Sequence, residues 1–209
     1  MSDGPVVALV AGLDSEALAE CVGRAGGVPR PVVLDAATPP EDVLEGVGGL
    51  LIAAEPPSDT GGPLARLVTA ATHSGMPVLG IGGGLHCLNL ALGGDRAVEV
   101  PGHAPEEGAT LHHHIYVAPG SRLAAIVGSG GFVRVNSAHH QGIREAQKSP
   151  LLLASAYSVD DGIIEAVEST EHDWVIGVQF RPERPRQVPP QFERLFQGLV
   201  ERARAHVEA

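Results

Sequence analysis

A run of glycines between two apolar stretches constrains the fold of this chain more than any other feature. Residues 77–81 have the composition of a short buried strand, residues 82–84 are three consecutive glycines, and residues 85–92 have the spacing of a helix. In α/β proteins, a turn this tight lies at the carboxyl end of a strand and directs one side chain into a crevice. Because the residue at the tip is Gly82, the sequence predicts a nucleophile elbow without a nucleophile.

The segments before this elbow alternate between apolar runs and helical spacing. The predicted strands are 5–11, 31–34 and 49–54, and the predicted helices are 13–25, 39–44 and 63–73. Continuous apolar runs are typical of strands that are buried on both faces, as in a parallel sheet with helices on either side. The order predicts an α/β fold of the flavodoxin-like, three-layer, doubly wound kind.

The second half of the chain is richer in strands. Strand-like segments lie at 111–117, 132–136, 151–157, 163–168 and 174–180, with one helix at 121–127 and an amphipathic helix at 188–207. These segments predict a small antiparallel extension and a return to the main sheet. We expect residues 1–209 to form a single domain.

The charge of the chain bears on its partners. The net charge is −11 and no run of Lys or Arg occurs, which argues against nucleic acid or an anionic membrane as a partner. The first ten residues lack the basic region of a signal peptide, and no apolar run approaches the ~20 residues of a membrane span. Two cysteines do not form a disulfide framework, so we expect a cytoplasmic protein. The expected partner is a small molecule, and a homodimer stays an open alternative.

Four motifs resemble those of a known family in their order and spacing. They are GIGGGLHCLN at 80–89, VNSAHHQ at 135–141, DGIIEA at 161–166 and GVQFRPE at 177–183. Class I glutamine amidotransferases have the corresponding patterns GICRGMQLLN, VNSxHHQ, DGxxEA and GVQWHPE. The resemblance runs from about residue 48 to residue 183. It is nearest the branch of the gamma-glutamyl-gamma-aminobutyrate hydrolases, peptidase C26.

The resemblance also shows where this chain departs from the family pattern. The family uses a cysteine nucleophile, a histidine base and a carboxylate that orients the histidine. The matching positions here are Gly82, Arg181 and Glu183. A Gly-Gly pair that helps form the oxyanion hole in the family corresponds to Ala54 and Glu55. The resemblance therefore implies that thiol-dependent amide hydrolysis is absent.

Several polar residues remain as candidates for a site. Those with ionisable side chains are Glu55, His86, Arg181 and Glu183, and those expected to contact a ligand are Gly82, Gly83, Gly84, Asn136, Ser137, His139 and His140. His86 replaces a family glutamine one helical turn from the tip, where a near-neutral pKa would suit an acid or base. The alternative is that His86 packs on a neighbouring loop.

Arg181 stays charged and cannot serve as a base, but it can bind a carboxylate through two hydrogen bonds. The alternative is a salt bridge to Glu183 or Glu55 with no ligand. Cys87 lies five residues past the tip on the predicted helix, where a buried cysteine behaves as a small apolar residue. Cys21, in the first predicted helix, has no stronger case as a replacement nucleophile.

Three consecutive histidines at 112–114 invite a metal hypothesis. Alternation along a strand puts His112 and His114 on one face, and His103, His139 or His140 would supply a third ligand for zinc. The alternative is hydrogen-bonded or solvated histidines at a strand edge. We predict no metal and no other cofactor.

Three functions stay open at this point. The first is a repurposed enzyme that acts without a covalent intermediate on a small metabolite bearing a carboxylate or an amide. The second is a non-catalytic relative that binds a ligand or acts as a scaffold. The third is a conventional gamma-glutamyl amide hydrolase. Fold alone does not decide between them.

Overall fold

The computed structural model describes residues 4–12, 14–55, 61–107 and 109–209. The strands are β1 (Val6–Ala11), β2 (Val28–Pro31), β3 (Gly49–Ala53), β4 (Val78–Ile81), β5 (Val98–Glu99), β6 (Leu111–Val117), β7 (Gly131–Ser137), β8 (Gln141–Gly142), β9 (Leu152–Ser158), β10 (Ile164–Ser169) and β11 (Val175–Val178). The helices are α1 (Ser15–Arg24), α2 (Pro40–Leu44), α3 (Pro63–His73), α4 (Gly83–Ala91), α5 (Arg122–Val127) and α6 (Arg194–Glu208). Residues 1–3 and residue 13, which belong to the predicted amino terminus and first helix, lie outside the described residues.

The parallel half of the sheet has the flavodoxin-like strand order. The main sheet runs β2-β1-β3-β4-β11-β10-β9-β6-β7, and its first five strands are parallel. The winding reverses between β1 and β3, and ligands of such sheets bind outside the carboxyl ends of the strands near this reversal. The predicted α/β, doubly wound fold is confirmed.

Helices cover the sheet on both faces and make the third layer. Helices α1, α5 and α6 pack on one face with Leu9, Leu51 and Leu79, whereas α3 and α4 pack on the other with Leu50 and Val78. Because successive strand residues face opposite cores, the central strands are apolar at every position.

The antiparallel extension is larger than the sequence suggested. Strands β10, β9, β6 and β7 pair antiparallel and continue the main sheet from β11. A separate two-stranded ladder of β5 and β8, which the sequence did not predict, lies beside it. Within the described part of the chain, no helix combines the length and apolar character needed to cross a membrane.

Two predicted boundaries are wrong. The second strand was expected at 31–34, but β2 begins at Val28, whose N–H bonds to Pro5 O directly after the Gly26–Gly27 turn. The following Val33 is 94% exposed. The last helix was expected from residue 188, but Pro189 and Pro190 delay it, and a 3₁₀ turn at Pro190–Glu193 precedes α6.

Candidate ligand-binding site

The turn between β4 and α4 has the backbone of an elbow. Gly82 has φ 57° and ψ −116°, a conformation that side chains strongly disfavour. The next two glycines are needed for close packing, since a Cβ on Gly83 would lie 2.4 Å from Ala54 O and one on Gly84 would lie 2.0 Å from Ile52 O. Helix α4 therefore begins directly against the end of β3.

A cleft of about 280 Å³ opens at this elbow, at the carboxyl ends of β3, β4 and β11. Seven of the predicted site residues line it: Glu55, Gly82, Gly83, His86, His139, His140 and Arg181. Four residues that were not predicted also line it: Glu99, Ala138, Gln141 and Gln179. The cleft thus brings most of the polar candidates together.

Arg181 lies over the tip of the elbow. A Cβ placed on Gly82 would be 3.3 Å from Arg181 Nη1. The other two guanidinium nitrogens are held by carboxylates, since Nε donates to Glu183 Oε1 and Nη2 donates to Asp14 Oδ2 at 2.9 Å. The salt bridge considered as an alternative therefore exists, with Glu183 and not with Glu55 as the partner, while Nη1 is directed at the cleft.

Asn136 fixes the backbone that carries this arginine. Its Oδ1 accepts from Arg181 N at 2.8 Å, and its Nδ2 donates to Arg181 O at 3.0 Å. Asn136 is 2% exposed and does not line the cleft, so the expected ligand contact is replaced by a positioning role.

Three further candidates lie behind the cleft wall. Ser137 Oγ donates to His103 O at 2.7 Å, Gly84 is covered by β3, and Glu183 has a fully buried side chain against Arg181. None of the three lines the cleft.

Asp14 completes the ion-pair group around Arg181. Its Oδ2 also accepts from Arg184 Nη2 at 2.7 Å. This hydrogen bond with Arg184 is the main reason that the pKa of Asp14 is lowered, with burial acting in the opposite direction. Two guanidinium groups thus share two carboxylates.

His86 is buried beside the cleft and hydrogen-bonded to Gln179. Its Nε2 lies 2.7 Å from Gln179 Oε1, which can only accept, so Nε2 carries the proton. Burial lowers the pKa of His86 to about 4. The expected near-neutral pKa is therefore wrong, and His86 is a neutral imidazole at pH 7. Gln179 is the third residue of the GVQFRPE motif, so the motif could have identified it as a site residue, but the sequence analysis did not name it.

Both cysteines are core residues. Cys87 is 2% exposed, and its Sγ lies 3.9 Å from Ala54 O. Burial, and secondarily the charge of Glu55, raises the pKa of Cys87 to about 12. Burial also raises the pKa of Cys21. The prediction that Cys87 is a core residue is confirmed.

The histidine cluster forms on the opposite face of β6 from the one considered. His113 shares the inner face with Ile115 and Val117, while His114 is exposed. His112 and His114 share one face as expected, but among the described residues it is His113, on the covered face, that joins a cluster. His113 lies near His103 and Glu165, and one ligand atom from each of the three falls within 4.8 Å of the others.

Comparisons with known proteins agree with this fold. The sequence profile named Peptidase C26 matches residues 64–183, more than half of the chain. A Mycobacterium tuberculosis protein provisionally named glutamine amidotransferase Rv2859c is 36% identical over 143 residues, which cover 66% of this chain and 44% of that protein. The gamma-glutamyl-gamma-aminobutyrate hydrolase PuuD of Escherichia coli is 29% identical over 167 residues, which cover 73% of this chain and 65% of PuuD.

A solved structure extends the similarity to the architecture. The glutaminase domain of Trypanosoma brucei CTPS superposes with a TM-score of 0.72 at 15% identity, covering 95% of this chain and 93% of that one. The protein is thus of the class I glutamine amidotransferase-like type. More narrowly, the chain belongs to the peptidase C26 family.

Proposed function

We propose that this chain binds a small molecule bearing a carboxylate or an amide in the cleft beside Gly82, without the thioester chemistry of amidotransferases. The observation that carries the proposal is the direction of Arg181, whose Nη1 is aimed at the space over Gly82. A side chain is missing from the elbow tip, and a guanidinium suited to carboxylate or carbonyl oxygen lies opposite.

The charges of the cleft narrow the class of ligand. Arg181 lines the cleft together with two carboxylates, Glu55 and Glu99. A ligand with both an anionic and a cationic group matches this arrangement better than a simple anion does. The name of PuuD describes hydrolysis of a gamma-glutamyl compound, and glutamyl compounds carry both groups. We therefore propose a glutamyl-type amino acid or amide as the ligand class.

The residues of the cleft do not support a covalent intermediate. Gly82 has no nucleophile, the pKa of the buried Cys87 is about 12, and arginine does not act as a base at neutral pH. These features count against the third alternative, a conventional gamma-glutamyl amide hydrolase. We propose a small molecule, and neither nucleic acid nor a membrane surface, as the partner.

Catalysis without a covalent intermediate is the second candidate function. Glu55 lines the same cleft at the end of β3, next to the amino terminus of α4, where a bound ligand would meet it. A carboxylate in this place could move a proton on a ligand held by Arg181. The observation that favours this candidate is that Glu55 and Arg181 line the same cleft.

Binding is tested by calorimetric titration with glutamate, glutamine and gamma-glutamyl-gamma-aminobutyrate. We expect at least one of these to bind the wild type, and Arg181→Gln to weaken that binding at least tenfold at a temperature where the variant is folded. Arg186→Gln, an exposed arginine five residues away, is the matched control and should bind as the wild type does. If none of the three probes binds, or if Arg181→Gln binds equally well, the proposed ligand class is wrong.

The two candidate functions differ in their response to Glu55→Gln. For a ligand that binds, product formation is followed by mass spectrometry. If Glu55 is a proton-transfer group, Glu55→Gln abolishes turnover and leaves affinity within a few-fold. Binding without any turnover in the wild type supports a non-catalytic ligand-binding protein.

A further inference from the structure

A second cluster of titratable side chains lies behind the cleft, in the antiparallel extension. It joins four separate segments, since His103 precedes β6, His113 is in β6, His139 follows β7 and Glu165 is in β10. Glu165 is 0% exposed, His103 5% and His139 9%. A carboxylate this deeply buried requires compensation by a proton, a cation or several hydrogen bonds.

Groups around the cluster determine which histidine nitrogens carry protons. His139 Nδ1 lies 2.9 Å from Gln141 O, and His103 Nε2 lies 3.2 Å from Asp161 Oδ2. A carbonyl and a carboxylate accept hydrogen bonds, so in the neutral imidazoles these two nitrogens are the protonated ones. The other nitrogens, His139 Nε2 and His103 Nδ1, then present lone pairs.

These lone pairs converge on one point together with the carboxylate. His103 Nδ1 is 3.2 Å from His139 Nε2 and 3.7 Å from Glu165 Oε1, and His139 Nε2 is 3.4 Å from the same oxygen. Three acceptor atoms at such distances repel one another unless something positive lies between them. Among the residues that the structure describes, no well-directed hydrogen bond reaches either oxygen of Glu165, and the nearest histidine nitrogens lie 3.4 to 3.7 Å away.

The spacing matches the edges of a tetrahedral metal site. Ligand atoms about 2.0–2.1 Å from a zinc ion are about 3.3–3.4 Å apart in a tetrahedron. The three measured separations bracket this value. His113 Nε2, which is also buried and lacks a hydrogen-bond partner within the described part of the chain, lies 3.5 Å from the other carboxylate oxygen, Glu165 Oε2.

Against the absence of metal that the sequence led us to expect, we propose that His103, His139 and Glu165, with His113 beside them, bind one divalent transition-metal ion of the zinc type. Imidazole nitrogen with one carboxylate oxygen is a donor set that zinc accepts, and the outer hydrogen bonds to Gln141 O and Asp161 are the kind that orient metal-bound histidines. The three donors come from separate segments, so the ion would order this part of the structure.

The position of His139 connects this site to the cleft. His139 lines the cleft, while its Nε2 faces the cluster. An ion held by residues of three segments would fix the loop that contains His139 and His140, and with it one wall of the ligand site. This proposal does not depend on the ligand class proposed above.

Cobalt titration of untagged, chelator-treated protein tests the metal site. We expect one equivalent of Co²⁺ to bind with the intense visible absorption of tetrahedral coordination, and Zn²⁺ to displace it. Zinc at a hundredfold excess over its Kd should raise Tm by about 5–10 °C. Glu165→Gln and His103→Gln should each weaken Co²⁺ binding at least tenfold, whereas His114→Gln, on the exposed face of β6, should bind as the wild type does.

Measurements on the wild-type protein alone can contradict the proposal, so the test does not depend on whether the variants fold. Absence of Co²⁺ binding, or binding without the tetrahedral spectrum, would show that protons and not a metal compensate Glu165. Nitrogen-15 NMR of the metal-free protein would then show imidazolium in the cluster at neutral pH, and its histidine signals would not move on addition of zinc. Equal Co²⁺ affinity in wild type and in folded Glu165→Gln would also overturn it.

Discussion

Arg181 and Asp14 are 167 residues apart in the chain, yet Arg181 Nη2 donates a 2.9 Å hydrogen bond to Asp14 Oδ2. The same guanidinium is held through Nε by Glu183, whose side chain is fully buried. Two carboxylates from opposite ends of the chain therefore fix the orientation of one arginine over the elbow. A rigidly held cation is better suited to binding than a mobile one, because less side-chain entropy is lost when a ligand arrives.

Arg181→Gln should lower the free energy of unfolding by about 2–4 kcal/mol, because it leaves the buried Glu183 carboxylate without its charge partner. The measurement is urea unfolding at pH 7. Adding Glu183→Gln to the same chain should recover a large part of the loss, since the uncompensated charge is then removed. A single variant as stable as the wild type would mean that Glu183 is protonated or otherwise compensated.

Gly82→Cys should not produce glutaminase activity. The new thiol would lie near Arg181 Nη1, which favours the thiolate, but no base lies where the family has its histidine. The positive φ of Gly82 should also cost about 1–3 kcal/mol of stability for any side chain. Ammonia release from glutamine is the assay, and Gly82→Ala, with the same strain and no thiol, is the control.

Gly82→Cys combined with Arg181→His is the smallest change that we expect to show measurable turnover. Turnover by Gly82→Cys alone would contradict this view. It would indicate that another residue, His86 or His140, already serves as the base.

The sequence predicted the parallel half of the fold because that half depends on local signals, whereas the pairing of Gly82 with Arg181 was implied by the family resemblance. β4 and β11 are neighbours whose carboxyl ends lie together, so residues just past each strand must meet. Apolar runs ending in glycine are sufficient to identify such strands.

Other parts of the site depend on contacts that leave no local signal. Asp14 is an isolated acidic residue near the amino terminus, and nothing in its neighbours indicates a partner at Arg181. Glu99 and Gln141 lie in strands β5 and β8, which pair with each other beside the cleft. Each of these strands has only two residues, too few for an alternating pattern to be recognised in the sequence. His113 points inward because its face of β6 is the covered one. The sequence pattern shows that residues alternate between the two faces of a strand, but it does not show which face is covered.

Cys87 should not react with alkylating agents in the folded protein. Its pKa of about 12 keeps the thiol protonated at pH 8, and its burial blocks access. Intact mass analysis after iodoacetamide treatment should show no label on the native chain and two labels after denaturation, one for each cysteine. The glutamine-directed electrophile diazo-oxonorleucine should likewise leave the protein unmodified. Covalent labelling at Cys87 under native conditions would contradict the core assignment.

His86 should make the protein less stable as the pH falls from about 6.5 to about 4. The unfolded histidine binds a proton below its ordinary pKa of about 6.5, whereas the folded one, with a pKa of about 4, stays neutral until lower pH. The unfolded state therefore binds more protons in this window, so stability that is fully present above pH 6.5 is lost on acidification. The difference amounts to about 3 kcal/mol for this single group.

The measurement is the free energy of unfolding at pH 7.5 and pH 4.5 in the wild type and in His86→Gln. Glutamine is the residue that the family pattern has at this position, and it can keep a hydrogen bond to Gln179. The loss of stability between the two pH values should be smaller in His86→Gln, while His73→Gln, an exposed histidine at the end of α3, should keep the wild-type dependence. An unchanged pH dependence in His86→Gln would show that His86 takes up its proton in the folded state as readily as in the unfolded chain, and would reopen an acid–base role for it in the cleft.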